Sequence, residues 1–239
     1  LKRDIPAAVK REVRQNCGFG CVVCGLSIYE YEHIDPSYSE AKEHDPKRIA
    51  LLCPQCHAKV TRGFMSKESV KDALNKPYCK STGFSNEFFD FGTAHPQIVF
   101  GGVTLKNCNI PIQVKDVPLF EIKAPEENGG PFLLSAHFYN SRGEEHLVIE
   151  DNEWKVANWN WDVETVGGAI TIKDRPRHIA LKLRADPPRG IVVEKVDMYV
   201  KGYYFSGNES EIYLTAPGQG QLKLKDCIFD GCHIGMSIG

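Results

Sequence analysis

Two cysteine pairs carry the clearest chemistry in this chain. Cys21-Val22-Val23-Cys24 and Cys53-Pro54-Gln55-Cys56 each place two thiols three positions apart. A Cys-x-x-Cys turn can bring both sulfurs to one tetrahedral ion at about 2.3 Å, and a second turn completes the ligand set. A redox pair is the alternative interpretation of one such turn, but two turns together favour zinc. Because the four thiols fill every position of the tetrahedron, we expect this zinc to be structural.

Acidic and imidazole side chains lie beside these pairs. Glu32 and His33 are adjacent, and His57 directly follows the second pair. A neutral imidazole can take a proton from water near pH 7. One carboxylate and one imidazole can hold a divalent cation and still leave positions for water and phosphate oxygens. The combination favours metal-assisted hydrolysis, although a histidine packed on the zinc site and a Glu-His surface ion pair are plainer alternatives.

The order of these residues resembles the HNH (ββα-metal) endonuclease family: Cys-x-x-Cys, an acidic residue before His-Ile, a loop, then Leu-Cys-x-x-Cys-His. The resemblance covers residues 17–62. It implies that His33 is the general base and that Glu32 and His57 bind a catalytic divalent ion such as Mg²⁺. It further implies a nuclease acting mostly on duplex DNA, with restriction or phage defence as the expected setting.

Two positions depart from the family pattern. Glu32 stands where many members have Asp, and Arg48 stands where the family has an Asn that braces the loop bearing the base. His44 and Asp45 are candidates for that supporting role or for extra metal ligands, with a solvated loop residue as the preferred interpretation of His44. Adjacent strand residues point to opposite faces, so Glu32 and His33 need a strand end or a bulge to serve one phosphate.

The elements that must position these residues follow from local sequence. The pattern predicts a helix over residues 5–16 with Asp4 as its cap and Pro6 in its first turn. Residues 26–34 alternate enough to predict a short hairpin that ends at His33. A loop over 35–48 precedes helices over 56–62 and 66–75.

The second half of the chain has the sequence pattern of short β-strands. Short β-rich runs punctuated by Gly, Pro, Asn and Asp begin near residue 96 and are typical of a sandwich or barrel. We therefore predict an α+β protein: an HNH nuclease domain with structural zinc over 1–80, a linker over 81–95, and an all-β domain for recognition or regulation over 96–239. Leu105-Lys106-Asn107-Cys108 echoes Leu224-Lys225-Asp226-Cys227, which is too short to establish a repeat.

Basic and aromatic residues supply candidate contacts to nucleic acid. Three tryptophans fall within residues 154–161, and on a strand Trp159 and Trp161 would share one face that could stack on bases. A sandwich core is the alternative, and it is the favoured one. The candidate nucleic-acid contacts are Lys10, Arg11, Arg14, Lys59, Arg62, Trp159 and Trp161, with Lys67 and Lys71 on a trailing helix.

Composition excludes few partners. The net charge is −2, and no apolar run approaches the length of a membrane span. We expect a cytoplasmic protein that binds DNA and no membrane, with a homodimer or partner subunit as an option for cutting both strands. Two other function classes stay open: a zinc module that only docks nucleic acid, and an interaction protein with the HNH-like part as scaffold.

Overall fold

The computed structural model describes residues 3–239, which fall into two compact units. The N-terminal unit comprises residues up to Glu87 together with Lys155–Glu164, and the C-terminal unit comprises Phe88–Trp154 and Thr165–Gly239. The predicted boundaries differ in two respects. The predicted linker over 81–95 contains a β-strand, and a tract from the middle of the predicted β-domain belongs to the N-terminal unit.

All helices found between residues 3 and 239 lie in the N-terminal unit. Their bounds are α1 Ala7–Cys17, α2 Pro54–Thr61, α3 Lys67–Asn75 and α4 Tyr78–Thr82. The first three correspond to the predicted helices. Asp4 does not cap α1, because Pro6 occupies the N-cap and the Asp4 carboxylate instead contacts Lys10 at 3.0 Å.

The strands of the first half are β1 Glu30–His33, β2 Ile49–Leu52, β3 Phe84–Phe88, β4 Gln97–Phe100, β5 Val103–Lys106, β6 Ile110–Val114, β7 Val117–Lys123 and β8 Leu133–Tyr139. Those of the second half are β9 Glu145–Glu150, β10 Glu153–Ala157, β11 Asp162–Val166, β12 Ala169–Arg175, β13 His178–Asp186, β14 Gly190–Val200, β15 Tyr203–Asn208, β16 Ile212–Thr215, β17 Gln221–Leu224, β18 Cys227–Asp230 and β19 Ile234–Ile238.

Strands β1 and β2 form a small antiparallel sheet in the N-terminal unit. Glu30 pairs with Leu52 and His33 pairs with Ile49, across the loop of residues 35–48. The predicted hairpin within residues 26–34 is therefore wrong: the partner of β1 comes from a later segment. All of β2 is buried, because its apolar side chains pack between neighbouring elements, among them α1. Helix α2 follows β2 directly and gives the local order ββα.

The C-terminal unit is built of β-sheets. Within this unit the strands pair in the orders β19-β6-β7-β8-β9 and β12-β13-β14-β15-β16-β17, with β4 joined to β14. Phe100 on β4 contacts Phe120 on β7 in an edge-to-face arrangement, with ring centroids 5.8 Å apart. Such pairs across the inner faces of two sheets are typical of a sandwich core. The chain is thus α+β with strands predominating, as predicted.

No helix in the described part of the chain has the length and apolar character needed to cross a membrane.

Candidate metal centre and neighbouring polar residues

The four predicted zinc ligands lie together. Cys21 and Cys24 belong to the loop before β1, Cys53 is the N-cap of α2, and Cys56 lies in its first turn. The extended backbone of Cys53 and the Pro54 that follows start the helix there, so the local sequence fixes the second pair. The four Sγ atoms all lie within 4.8 Å of one another.

The sulfur separations fit a single tetrahedral ion. Cys24 Sγ lies 3.6 Å from Cys53 Sγ and 3.8 Å from Cys56 Sγ. A zinc ion with sulfurs at about 2.3 Å requires sulfur-sulfur distances of about 3.8 Å. The four cysteines are therefore positioned to hold a metal ion such as zinc, and they leave no ligand position for a substrate.

Strand β1 carries two carboxylates toward α2. Glu30 and Glu32 are two residues apart and so lie on one face of the strand, where they meet the His57 ring. His57 Nδ1 lies 3.0 Å from Glu30 Oε2, and His57 Nε2 lies 3.2 Å from Glu32 Oε2. Both nitrogens of this imidazole thus face a carboxylate. The predicted pair Glu32 and His57 is brought together.

Glu30 was missed by the sequence reasoning. The signal was available, because a residue two positions before Glu32 must share its strand face. What the sequence did not disclose is that the His57 ring lies between the two carboxylates.

His33 is the last residue of β1 and is buried. Its Nε2 lies 3.1 Å from Nδ1 of His44. Its ring packs edge to face against the Tyr38 ring, with the ring centroids 5.4 Å apart. Burial, followed by the neighbouring His44, lowers the pKa of His33, and Glu32 opposes that shift. The imidazole is therefore neutral at physiological pH, the state that can accept a proton.

The structure places these groups on two sides of one strand. Glu32 pairs with Ala50 and His33 pairs with Ile49 without an interruption of the register, so β1 contains no bulge. Glu32 contacts His57 on α2, whereas His33 contacts His44 in the loop after the strand. Strand β1 therefore has no bulge, and His33 is its last residue.

The loop over 35–48 is held by Arg48 and His44. Arg48 donates from Nη1 to the carbonyl oxygen of Asp35 at 3.2 Å, and its Nε lies 3.3 Å from Asp45. The residue that departs from the family pattern thus ties both ends of the loop. His44 is half-buried against His33, so its interpretation as a solvated loop residue is wrong.

Arg14 is not a surface residue, contrary to the prediction. Its side chain is 5% exposed and forms two hydrogen bonds with Asp162, both of 2.8 Å. It also donates to the Tyr31 hydroxyl at 2.9 Å. Burial alone would lower the pKa of Arg14, but the hydrogen bond with Asp162 and the charges around it raise the pKa overall. Arg14 therefore cannot contact nucleic acid.

We expect Arg14→Ala to destabilise the protein by about 3–5 kcal/mol, because it removes the guanidinium that neutralises the buried Asp162 carboxylate. Arg11→Ala is the matched control: Arg11 lies over the Trp161 ring at 4.9 Å, a contact worth about 1 kcal/mol or less. Denaturant unfolding followed by tryptophan fluorescence measures both. Equal, small losses for the two variants would contradict the buried ion pair.

The other basic and aromatic candidates have distinct surroundings. Trp159 and Trp161 lie in the turn between β10 and β11 and not on a strand, so the shared strand face considered for them is absent. Trp159 is 47% exposed, while Trp154 is buried beside Phe89. Lys10 pairs with Asp4, and both Lys59 and Arg62 are exposed at the end of α2.

Comparison with known proteins adds no family to this geometry: no family model, no curated protein and no solved structure matches the chain.

Proposed function

We propose that this chain is a metal-dependent endonuclease of the HNH type that hydrolyses phosphodiester bonds of DNA. The observation that carries the proposal is the contact of Glu32 with His57, beside the four-cysteine cluster and next to a buried histidine at the end of the same strand. Such a hydrolysis needs a carboxylate and two imidazoles held in fixed positions, and the four-cysteine cluster can supply the rigidity.

Glu32 and His57 are the proposed ligands of the catalytic ion. Neighbouring ligands of an octahedral ion bound at about 2.1 Å lie about 3 Å apart. The 3.2 Å between Glu32 Oε2 and His57 Nε2 fits that requirement. A bound Mg²⁺ or Mn²⁺ supplies charge neutralisation at the scissile phosphate and the leaving oxygen. The zinc in the four-cysteine cluster keeps α2, and therefore His57, in place against β1.

His33 is the proposed general base, and its contact with His44 selects the nitrogen that acts. When His33 Nε2–H donates to His44 Nδ1, the lone pair of the His33 ring is left on Nδ1. That nitrogen takes a proton from the attacking water, and the neutral state of His33 makes it available. His44 is therefore a positioning residue that fulfils part of the loop-bracing role expected of the family Asn.

Glu30 has a supporting role in the proposed site. A carboxylate that accepts the second ring N–H of a ligating histidine fixes its tautomer and orientation. Glu30 Oε2 lies 3.0 Å from His57 Nδ1, so with a divalent ion bound Nδ1–H would donate to Glu30 and Nε2 would bind the ion beside Glu32.

We expect Glu30→Gln to weaken Mn²⁺ binding at the His57 site about 10- to 100-fold, because the tautomer is no longer enforced. Glu43→Gln, which changes an exposed carboxylate in the loop, is the control with unchanged affinity. Isothermal titration of the zinc-loaded protein with Mn²⁺ measures the difference. Identical affinities for the Glu30→Gln and wild-type proteins would remove Glu30 from the site.

DNA is the proposed substrate, and exposed side chains near α2 are its proposed contacts. Lys59 and Arg62 form no ion pair with any residue between 3 and 239 in the structure, so both are available to phosphates. Trp159 offers an exposed ring of the kind that can stack on a base. The C-terminal sandwich is proposed to supply specificity, recruitment or regulation.

A second function is supported by the same histidine. An imidazole with a carboxylate at each nitrogen can also be an ion pair that only holds α2 against β1. In that case the chain would be a zinc-stabilised domain that binds nucleic acid without cutting it. Incubation with supercoiled plasmid and Mg²⁺ or Mn²⁺ separates the two functions. Nicking that requires the divalent ion supports the nuclease, and plasmid binding without nicking under every metal condition supports the docking module.

A further inference from the structure

Two distant segments of the C-terminal unit run side by side in parallel register. Cys227 on β18 pairs with Val103 on β5, and Ile234 on β19 pairs with Ile110 on β6, so both strand pairs keep one offset of 124 residues. The register extends through the corner between the strands: Gly231 N–H donates to Lys106 O at 3.1 Å, and Ile110 N–H donates to His233 O at 2.9 Å.

Each of the two corners contains a residue with a positive φ. Asn107 and Gly231 stand at equivalent positions, with φ of 50° and 69°, the left-handed region in which Asn and Gly are the favoured residues. Asn107 Nδ2 donates across the pair to Asp230 Oδ1 at 2.8 Å. The structure thus aligns Cys108 with Cys232, whereas the sequence echo aligned Cys108 with Cys227.

Cys108 and Cys232 stand at equivalent positions of the two paired segments and are neighbours. Each thiol contacts the carbonyl oxygen two residues before it, Lys106 O at 3.1 Å from Cys108 and Asp230 O at 3.6 Å from Cys232. Paired parallel strands lie about 4.8 Å apart. A disulfide needs about 4.4–6.8 Å between Cα atoms, so rotation of the two side chains suffices to join the sulfurs.

The two thiols differ in access to solvent. Cys108 is 0% exposed and Cys232 is half-buried. Burial raises the pKa of Cys108; a hydrogen bond with the Cys232 backbone opposes that shift, and the Cys232 side chain adds to it. Cys232 is therefore the thiol that a reagent in solution meets first, and Cys108 can react only with a group already attached at Cys232.

We propose that Cys108 and Cys232 form a dithiol site that small disulfides such as glutathione disulfide oxidise to an intramolecular disulfide. The Cys232 thiolate attacks one sulfur of glutathione disulfide, which forms a mixed disulfide and releases one glutathione thiolate. The Cys108 thiol loses its proton to solvent and attacks Cys232 Sγ, which breaks the mixed disulfide and releases the second glutathione. The protein loses two electrons and two protons, and the reagent gains them as two thiols.

The bridge has a defined mechanical consequence. Within the described residues, β18 pairs only with β5, and β19 is an edge strand that pairs only with β6. A covalent link at the corner between them holds each strand against its partner, β18 against β5 and β19 against β6. We therefore expect amide hydrogen exchange over residues 227–238 to slow about tenfold or more in the oxidised protein.

The test uses the zinc-loaded full chain, treated with glutathione disulfide and mapped by peptide mass spectrometry. We expect wild type to gain a Cys108–Cys232 bridge, Cys108→Ser to stop at a glutathione adduct on Cys232, and Cys232→Ser to leave Cys108 unmodified. Cys227→Ser is the matched control and keeps the bridge. Should Cys108→Ser not fold, Cys108→Ala replaces it.

Three results would overturn the proposal. These are a stable mixed disulfide at Cys232 as the end product in wild type, modification of Cys108 in the Cys232→Ser protein at the wild-type rate, or loss of the bridge in the Cys227→Ser protein. Unchanged exchange over residues 227–238 in the bridged protein would overturn the mechanical consequence.

Discussion

The His33→Ala protein is expected to leave supercoiled plasmid uncut under conditions in which wild type nicks it with Mg²⁺ or Mn²⁺. Loss of a general base lowers the rate about 10²- to 10⁴-fold, because water must then lose its proton without a positioned acceptor. His33 is buried and neutral beside His44, so its replacement removes the one imidazole proposed as acceptor. Initial rates of nicking on agarose gels measure the loss.

His233→Ala is the matched control, since His233 is exposed in the C-terminal unit and lies outside the proposed site. Wild-type protein with EDTA gives the metal-free reference. The His44→Ala protein should fall between wild type and His33→Ala, with kcat reduced and KM retained, because His44 only orients the base. Cutting by His33→Ala at the wild-type rate would remove His33 as the base. Absence of cutting by wild type with every metal would contradict the nuclease proposal itself.

The second large effect concerns the four-cysteine cluster. Cys53→Ser is expected to lose zinc and to unfold the N-terminal unit, because binding of a structural zinc contributes about 10–16 kcal/mol in small zinc modules. Cys53 contributes twice, as a ligand and as the N-cap whose sulfur accepts the Cys56 N–H at 3.4 Å. Zinc content by elemental analysis and limited proteolysis of the full chain measure the two consequences.

Cys227→Ser is the control for that experiment, because Cys227 lies outside the cluster and should keep full zinc content. The proteolysis pattern separates loss of fold from loss of chemistry: we expect early cleavage in the N-terminal unit and an intact C-terminal unit. A Cys53→Ser protein that retains one zinc per chain and wild-type resistance to protease would refute the four-thiolate site. It would leave the role of His33 to be decided by the plasmid experiment.

The shared face of Glu30 and Glu32 shows how far local rules reach. The alternation of a strand places both carboxylates on one side, and that much follows from two-residue spacing. Their contact with His57 depends on the packing of α2 against β1, which brings together residues 25 or more positions apart. Local sequence therefore determined the carboxylate face, and tertiary packing determined what it faces.

His44 and Arg14 were misjudged for the same reason. Each is a polar residue in a polar segment, and local pattern assigns such residues to solvent. The structure buries Arg14 with Asp162, a residue 148 positions away, and places His44 on His33 across a long loop. No local periodicity encodes these partners, because they are chosen by the long-range path of the chain.

What the sequence by itself determined is the pair of Cys-x-x-Cys turns, the helices around them, and the change to a β-rich texture in the second half. These depend on spacing within a turn, on caps and on alternation, which act over a few residues. Tertiary structure alone decided that Lys155–Glu164 joins the N-terminal unit, that His57 lies between two carboxylates, and that Cys108 stacks on Cys232. Those outcomes depend on contacts between distant segments, whose burial and register are settled only when the whole chain packs.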